Sequence, residues 1–96
     1  MTADAAGDGK GKQDWARFRQ LLDEQNAWPA EYLFKFIVPS DRVEDVRRLF
    51  GQIPISIRES KRGRYMSVSA TMLVHSSDEI EAVYRKAGEI PGLIAL

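Results

Sequence analysis

From Trp15 onward the hydrophobic positions switch between a helical and an alternating period, and the switches mark out the elements. Trp15, Phe18, Leu21 and Leu22 form a narrow apolar stripe at helical spacing behind Asp14, an N-cap residue type, which predicts a helix to about Gln25. Trp28-Pro29 ends it, because the residue before a proline is pushed out of the α region. Alternation then sets in. Tyr32, Phe34, Phe36 and Val38 point one way and Leu33, Lys35 and Ile37 the other, a strand closed by Pro39. Ser40 and Asp41 open a second helix, with Glu44 as the capping-box partner of Asp41. Its buried face is Val43, Val46, Leu49 and Phe50, and Gly51 stops it at a C′-type position.

A second strand is expected over 53–60, carrying Ile53, Ile55 and Ile57, followed by a Lys61-Arg62-Gly63 turn in which glycine is free to take positive φ. The third strand, 65–75, sets Met66, Val68, Ala70, Met72 and Val74 against Tyr65, Ser67, Ser69, Thr71 and Leu73. One face is apolar and the other largely hydroxylic, as in a sheet covered on a single side. Ser76-Ser77-Asp78-Glu79 is a capping box for a third helix lined by Ile80, Val83, Tyr84 and Ala87, which Gly88 terminates with a C′ turn. Residues 93–96 make a last short strand. The order βαββαβ behind an N-terminal helix predicts an α+β fold, the ferredoxin-like plait: a four-stranded antiparallel sheet with two helices on one face. Three segments follow: a disordered tail over 1–12, polar and glycine-rich, the N-terminal helix over 13–27, and the ferredoxin-like domain over 28–96.

Composition narrows the chemistry. The chain has 96 residues, no cysteine and one histidine, so thiol catalysis, disulfides and Cys- or His-rich metal sites are excluded, and no cofactor is expected. No apolar run is long enough to cross a bilayer and residues 1–12 lack the apolar core of a signal peptide, so a cytoplasmic protein without membrane attachment is expected. Fourteen Lys and Arg balance fourteen Asp and Glu, which argues against a general nucleic-acid binder. The third strand offers only hydroxyls where RNA-recognition sheets carry stacking aromatics, which argues the same way. The balance is nevertheless patterned. Arg58, Lys61, Arg62 and Arg64 against Glu59 leave +3 over 58–64, whereas 13–31 and 76–96 each carry −2.

That hairpin is the first candidate site. Its arginines are planar forks suited to carboxylate or phosphate, and Gly63 gives an anion access to backbone amides. With Lys35 adding a contact, the expected ligand is a small anion or an acidic protein surface. The second candidate is the open sheet face, where Leu33, Ile37 and Leu73 share the side of Lys35, Ser67, Ser69 and Thr71. So many aliphatics on an open face call for a cover. The N-terminal helix is the favoured one, and a second copy in a homodimer the alternative. No catalytic residues are expected, since His75, Ser76 and Asp78 are too close in sequence to converge as base, nucleophile and orienter.

Several of these pieces resemble the YbeD-like family of small uncharacterised bacterial proteins. They are Trp28-Pro29, the 32–38 strand with Lys35, and above all Ser60-Lys61-Arg62-Gly63-Arg64-Tyr65-Met66-Ser67-Val68-Ser69. Ile80-Glu81-Ala82-Val83-Tyr84 through Gly88 also fits, and the likeness covers about 28–96 plus a counterpart of the Leu21-Leu22 helix. Arg62 is an extra residue in the turn relative to that pattern, which implies a turn longer by one. The resemblance implies a ferredoxin-like domain similar to the ACT regulatory domains, without established catalytic activity. Some relatives are encoded near lipoate-attachment genes. ACT domains admit an amino acid at a glycine between the first strand and first helix, whereas Val38-Pro39-Ser40-Asp41-Arg42-Val43 has none, so that site is not expected here.

Overall fold

A computed structural model of the protein describes residues 14–60 and 62–96; the expected tail over 1–12, and Lys61, lie outside the described residues. The elements run α1 (Trp15–Gln25), β1 (Ala30–Pro39), a 3-10 turn (Ser40–Arg42), α2 (Val43–Phe50), β2 (Ser56–Glu59), β3 (Tyr65–Val74), α3 (Ser77–Ala87) and β4 (Ile94–Ala95). The strands form one antiparallel sheet in the order β2-β3-β1-β4, the arrangement of a ferredoxin-like plait. β1 and β3 pair over their whole length, from Ala30 opposite Val74 to Pro39 opposite Tyr65. Even-numbered residues therefore share one face. Phe34, Phe36 and Val38 of β1 and Val68, Ala70 and Val74 of β3 are buried there against Val46 and Phe50 of α2 and Ile80 and Ala87 of α3.

The caps show where local chemistry acts. Asp14 Oδ1 accepts the Arg17 amide at 3.1 Å and starts α1. Ser76 Oγ accepts the Glu79 amide at 3.3 Å, but the returning Glu79 carboxylate takes the His75 amide at 2.9 Å, one residue before the N-cap. At α2 the expected Asp41/Glu44 box does not form. Residues 40–42 wind as a 3-10 turn after Pro39, no side chain caps α2, and Glu44 instead accepts from Arg47 Nε at 3.2 Å. Gly88 keeps right-handed backbone, φ −64°, so its place at the end of α3 owes nothing to glycine's conformational freedom.

β2 is shorter than expected. The Ile53 amide bonds back to the Phe50 carbonyl at 3.1 Å and Pro54 has no amide to donate, so pairing starts at Ser56 while Ile53 and Ile55 pack on the core from the connecting loop. β4 is likewise reduced to two residues, because the Leu93 amide turns back to the Ile90 carbonyl at 3.2 Å. Gly92 lets it close: with φ +79° and room for no side chain, since a Cβ there would lie 2.7 Å from Pro39 Cγ, it brings the chain hard against the end of β1.

The N-terminal helix corrects one expectation. It does not cover the open sheet face but packs on α3, in the helical layer. Leu22 is buried, Phe18 meets Tyr84 edge to face with ring centroids 5.7 Å apart, and Leu21 is left exposed. Charge helps to decide the matter. Arg19 ion-pairs with Asp78, 3.4 Å away, and with Glu81, whose second oxygen takes Arg85 Nε at 2.6 Å. The acidic flank of α3 thus offers α1 partners that the hydroxylic sheet face does not, and burying Leu22 adds about 1.5–3 kcal/mol.

Candidate functional site

The β2–β3 hairpin is closed by paired bonds, the Ser60 amide to the Tyr65 carbonyl at 3.0 Å and the Tyr65 amide to Ser60 Oγ at 3.4 Å. Gly63 sits at φ +71°, and its amide donates to the Ser60 carbonyl at 3.1 Å. The Glu59 carboxylate folds over it, with Oε2 only 2.8 Å from where a Cβ on Gly63 would stand. At the tip, then, the Gly63 and Tyr65 amides are occupied and a carboxylate lies close by. Arg62 and Arg64 are exposed there. The Arg64 carbonyl accepts the Ser40 amide at 2.8 Å, tying the hairpin to the start of the 3-10 turn.

Arg58 stands apart from those tip arginines. In the register it lies opposite Ser67, while Ser56 lies opposite Ser69, which in turn lies opposite Lys35. Residues opposite each other in an antiparallel ladder share a face. Lys35, Arg58, Ser56, Ser67 and Ser69 therefore converge on the open side of the sheet, where they line a shallow groove of about 260 Å³ running across three strands. Among the described residues neither Lys35 nor Arg58 makes an ion pair. Two cations on flexible stems and three hydroxyls, each able to donate, give an acceptor-rich anion several partners at once.

The rest of that face is apolar. Leu33 and Leu73, 54% exposed each, flank Thr71 at one end, while Ile37 and Ile94 pair on the other side of the groove. Sequence reasoning placed Lys35, Leu33, Ile37, Ser67, Ser69, Thr71 and Leu73 on this face. It missed Ser56, which becomes visible only when the register is counted back from the Ser60/Tyr65 closure.

On the opposite, helical side a second concavity of about 520 Å³ opens between α1, α3 and β4. Tyr32 and Tyr84 reach it, with hydroxyl oxygens 3.1 Å apart. Burial, and then the bond to Tyr32, push the Tyr84 phenol well above its ordinary pKa. His75, by contrast, is exposed at the end of β3, 3.7 Å from the Glu79 carboxylate, and Ser76 is engaged as a cap.

A family model described as a protein of unknown function, DUF493, matches residues 23–96. The chain belongs to this family. No match was found among curated proteins or among solved structures. The whole plait and every residue of the groove fall within the DUF493 span, whereas residues 15–22 of α1 precede it. The helical-side cleft straddles that boundary, since Trp15 and Phe18 come from the preceding stretch and Tyr32, Tyr84 and Leu93 from the DUF493 unit. Among the described residues no helix is long and apolar enough to cross a membrane.

Proposed function

We propose that this DUF493 protein is a small cytoplasmic binding module without catalytic activity, which takes a carboxylate or phosphate in the groove on its open sheet face. Lys35 and Arg58 carry the reading: two cations without ion-pair partners among the described residues face the same three-hydroxyl groove. Lys35 and Arg58 supply charge, Ser56, Ser67 and Ser69 supply orientation, and Arg62 and Arg64 at the hairpin tip steer anions toward it. The resemblance to the bacterial YbeD-like family and to ACT regulatory domains supports a regulatory use, in which the ligand reports a metabolite level rather than undergoing reaction.

NMR titration with citrate, pyrophosphate and lipoate tests this. At least one should shift Ser56, Ser67 and Ser69 amides saturably, and Lys35→Ala/Arg58→Ala should weaken it about tenfold or more, since charge-assisted hydrogen bonds contribute about 1.5–3 kcal/mol each. An Arg62→Ala/Arg64→Ala variant should mainly slow association. Unchanged binding in the Lys35→Ala/Arg58→Ala protein, or no saturable shift with any of the three anions, sinks the reading. A second reading, a protein–protein adaptor or self-associating domain, is favoured by the exposed Leu33 and Leu73. Its mark is a sedimentation coefficient that rises with concentration in the parent chain and not in Leu33→Asp/Leu73→Asp.

A further inference from the structure

The geometry points to a second, separate binding site in the helical-side cleft, shaped for a flat, uncharged aromatic molecule carrying one hydrogen-bond acceptor. The cleft's volume of about 520 Å³ lies within the range of pockets that hold small organic ligands, roughly 300–1,000 Å³. Trp15, Phe18, Tyr32 and Tyr84 line it, and neighbouring rings meet edge to face: Trp15 with Phe18 at 5.8 Å and 74°, Phe18 with Tyr84 at 5.7 Å and 74°, Tyr32 with Tyr84 at 6.3 Å and 89°. Such walls present faces and edges at near right angles, which favours offset and edge-on contacts with another ring.

The acceptor follows from counting protons. One of the two tyrosine hydroxyls donates to the other, and the accepting hydroxyl keeps its own proton. No other acceptor among the described residues takes it. The elevated Tyr84 pKa keeps that phenol a donor throughout the neutral range. A carbonyl or ether oxygen entering the cleft supplies the missing partner.

Charge excludes the ligands proposed for the groove. Asp14 stands at the cleft's rim, already holding the first-turn amide of Arg17, so an anion would meet a carboxylate there. Among the described residues no cationic side chain lines the cleft, and Arg85, which lies over the Trp15 ring 5.1 Å from its centroid, is bound to the Glu81 carboxylate. Gly88 offers a place to block the cleft. It lines the cleft in ordinary right-handed backbone, where a Cβ would make only van der Waals contact with the Arg85 and Tyr84 carbonyls at 3.4 and 3.5 Å. A larger residue there would intrude without backbone strain.

Titration of the full chain by NMR with naphthalene, 2-acetylnaphthalene and 2-naphthoate tests the site. The acetyl compound should shift the Trp15 indole and the Phe18 and Tyr84 rings saturably. It should bind about threefold to tenfold tighter than naphthalene, as one neutral hydrogen bond allows, and tighter than the isosteric naphthoate. In Tyr32→Phe/Tyr84→Phe, checked for a retained unfolding transition, that preference should vanish while naphthalene still binds. Gly88→Leu, which leaves the tyrosines in place, should abolish binding of both neutral probes. Overturning results are no saturable shift at the cleft with either neutral probe, equal or tighter naphthoate binding there, an acetyl preference that survives the double variant, or binding undiminished by Gly88→Leu.

Discussion

Glu81 is the residue on which the helical layer turns. It is only 9% exposed, yet it is charged, because Arg85 and then Arg19 hydrogen-bond its carboxylate and hold its pKa below the usual carboxylate range. A depressed folded-state pKa means that folding favours the ionised form. The stabilisation is therefore present above the unfolded value, about 4.3, and is lost as pH falls through the lower folded value. Urea unfolding should find Glu81→Gln less stable than the parent at pH 7, with the gap closing as pH falls below the unfolded carboxylate value. A gap independent of pH would mean that the carboxylate acts by packing alone. Other single residues were readable beforehand: Asp14 as a cap and Gly63 as a positive-φ turn residue follow from side-chain chemistry within three or four positions. The Asp41/Glu44 box failed because Pro39 set the chain into a tight 3-10 turn, which no nearest-neighbour pattern announces.

At the scale of elements, periodicity identified the three helices, β1 and β3 because each has a buried face, whereas β2 and β4, exposed along their length, were expected too long. What it could not supply was the surface that α1 meets. An apolar stripe states that something must cover it and is silent on what; the choice fell to Arg19, whose partners Asp78 and Glu81 are some sixty residues away. The placement makes a sharp comparison available. Leu22→Ala, at the α1–α3 seam, should cost about 2–4 kcal/mol, whereas Leu21→Ala, on the exposed flank, should stay within about 0.5 kcal/mol. Thermal unfolding with the two effects reversed would put α1 on a different surface. The groove was half legible for a related reason. Alternation puts Lys35, Ser67 and Ser69 on one face, but aligning Arg58 and Ser56 with them requires the pairing between strands, which depends on the loop length and on where Pro54 lets β2 begin.

For the whole molecule, a net charge of zero conceals two surfaces of opposite character. The open sheet face gathers Lys35 and Arg58, and the helical side gathers aromatic rings with Asp14 at their rim. Salt should separate them. Raising NaCl from about 50 to 500 mM shortens the screening length from more than 10 Å to less than 5 Å. It should weaken citrate or pyrophosphate at the groove severalfold and leave 2-acetylnaphthalene at the cleft unchanged or slightly tighter. Parallel salt responses at both places would show that the two concavities are not chemically distinct.

One backbone bond gives these two sides a common observer. The Leu96 amide donates to the Lys35 carbonyl at 2.9 Å, while Leu96 itself borders the aromatic cleft. Lys35 thus puts its side chain in the groove and, through its carbonyl oxygen, holds the residue that borders the cleft. Deuterium uptake at that single amide should slow when β1 is held from either side, by an anion on Lys35 or by a ring seated beside Leu96. A mass-spectrometric peptide covering the last residues would therefore register occupancy of both sites without a label on either.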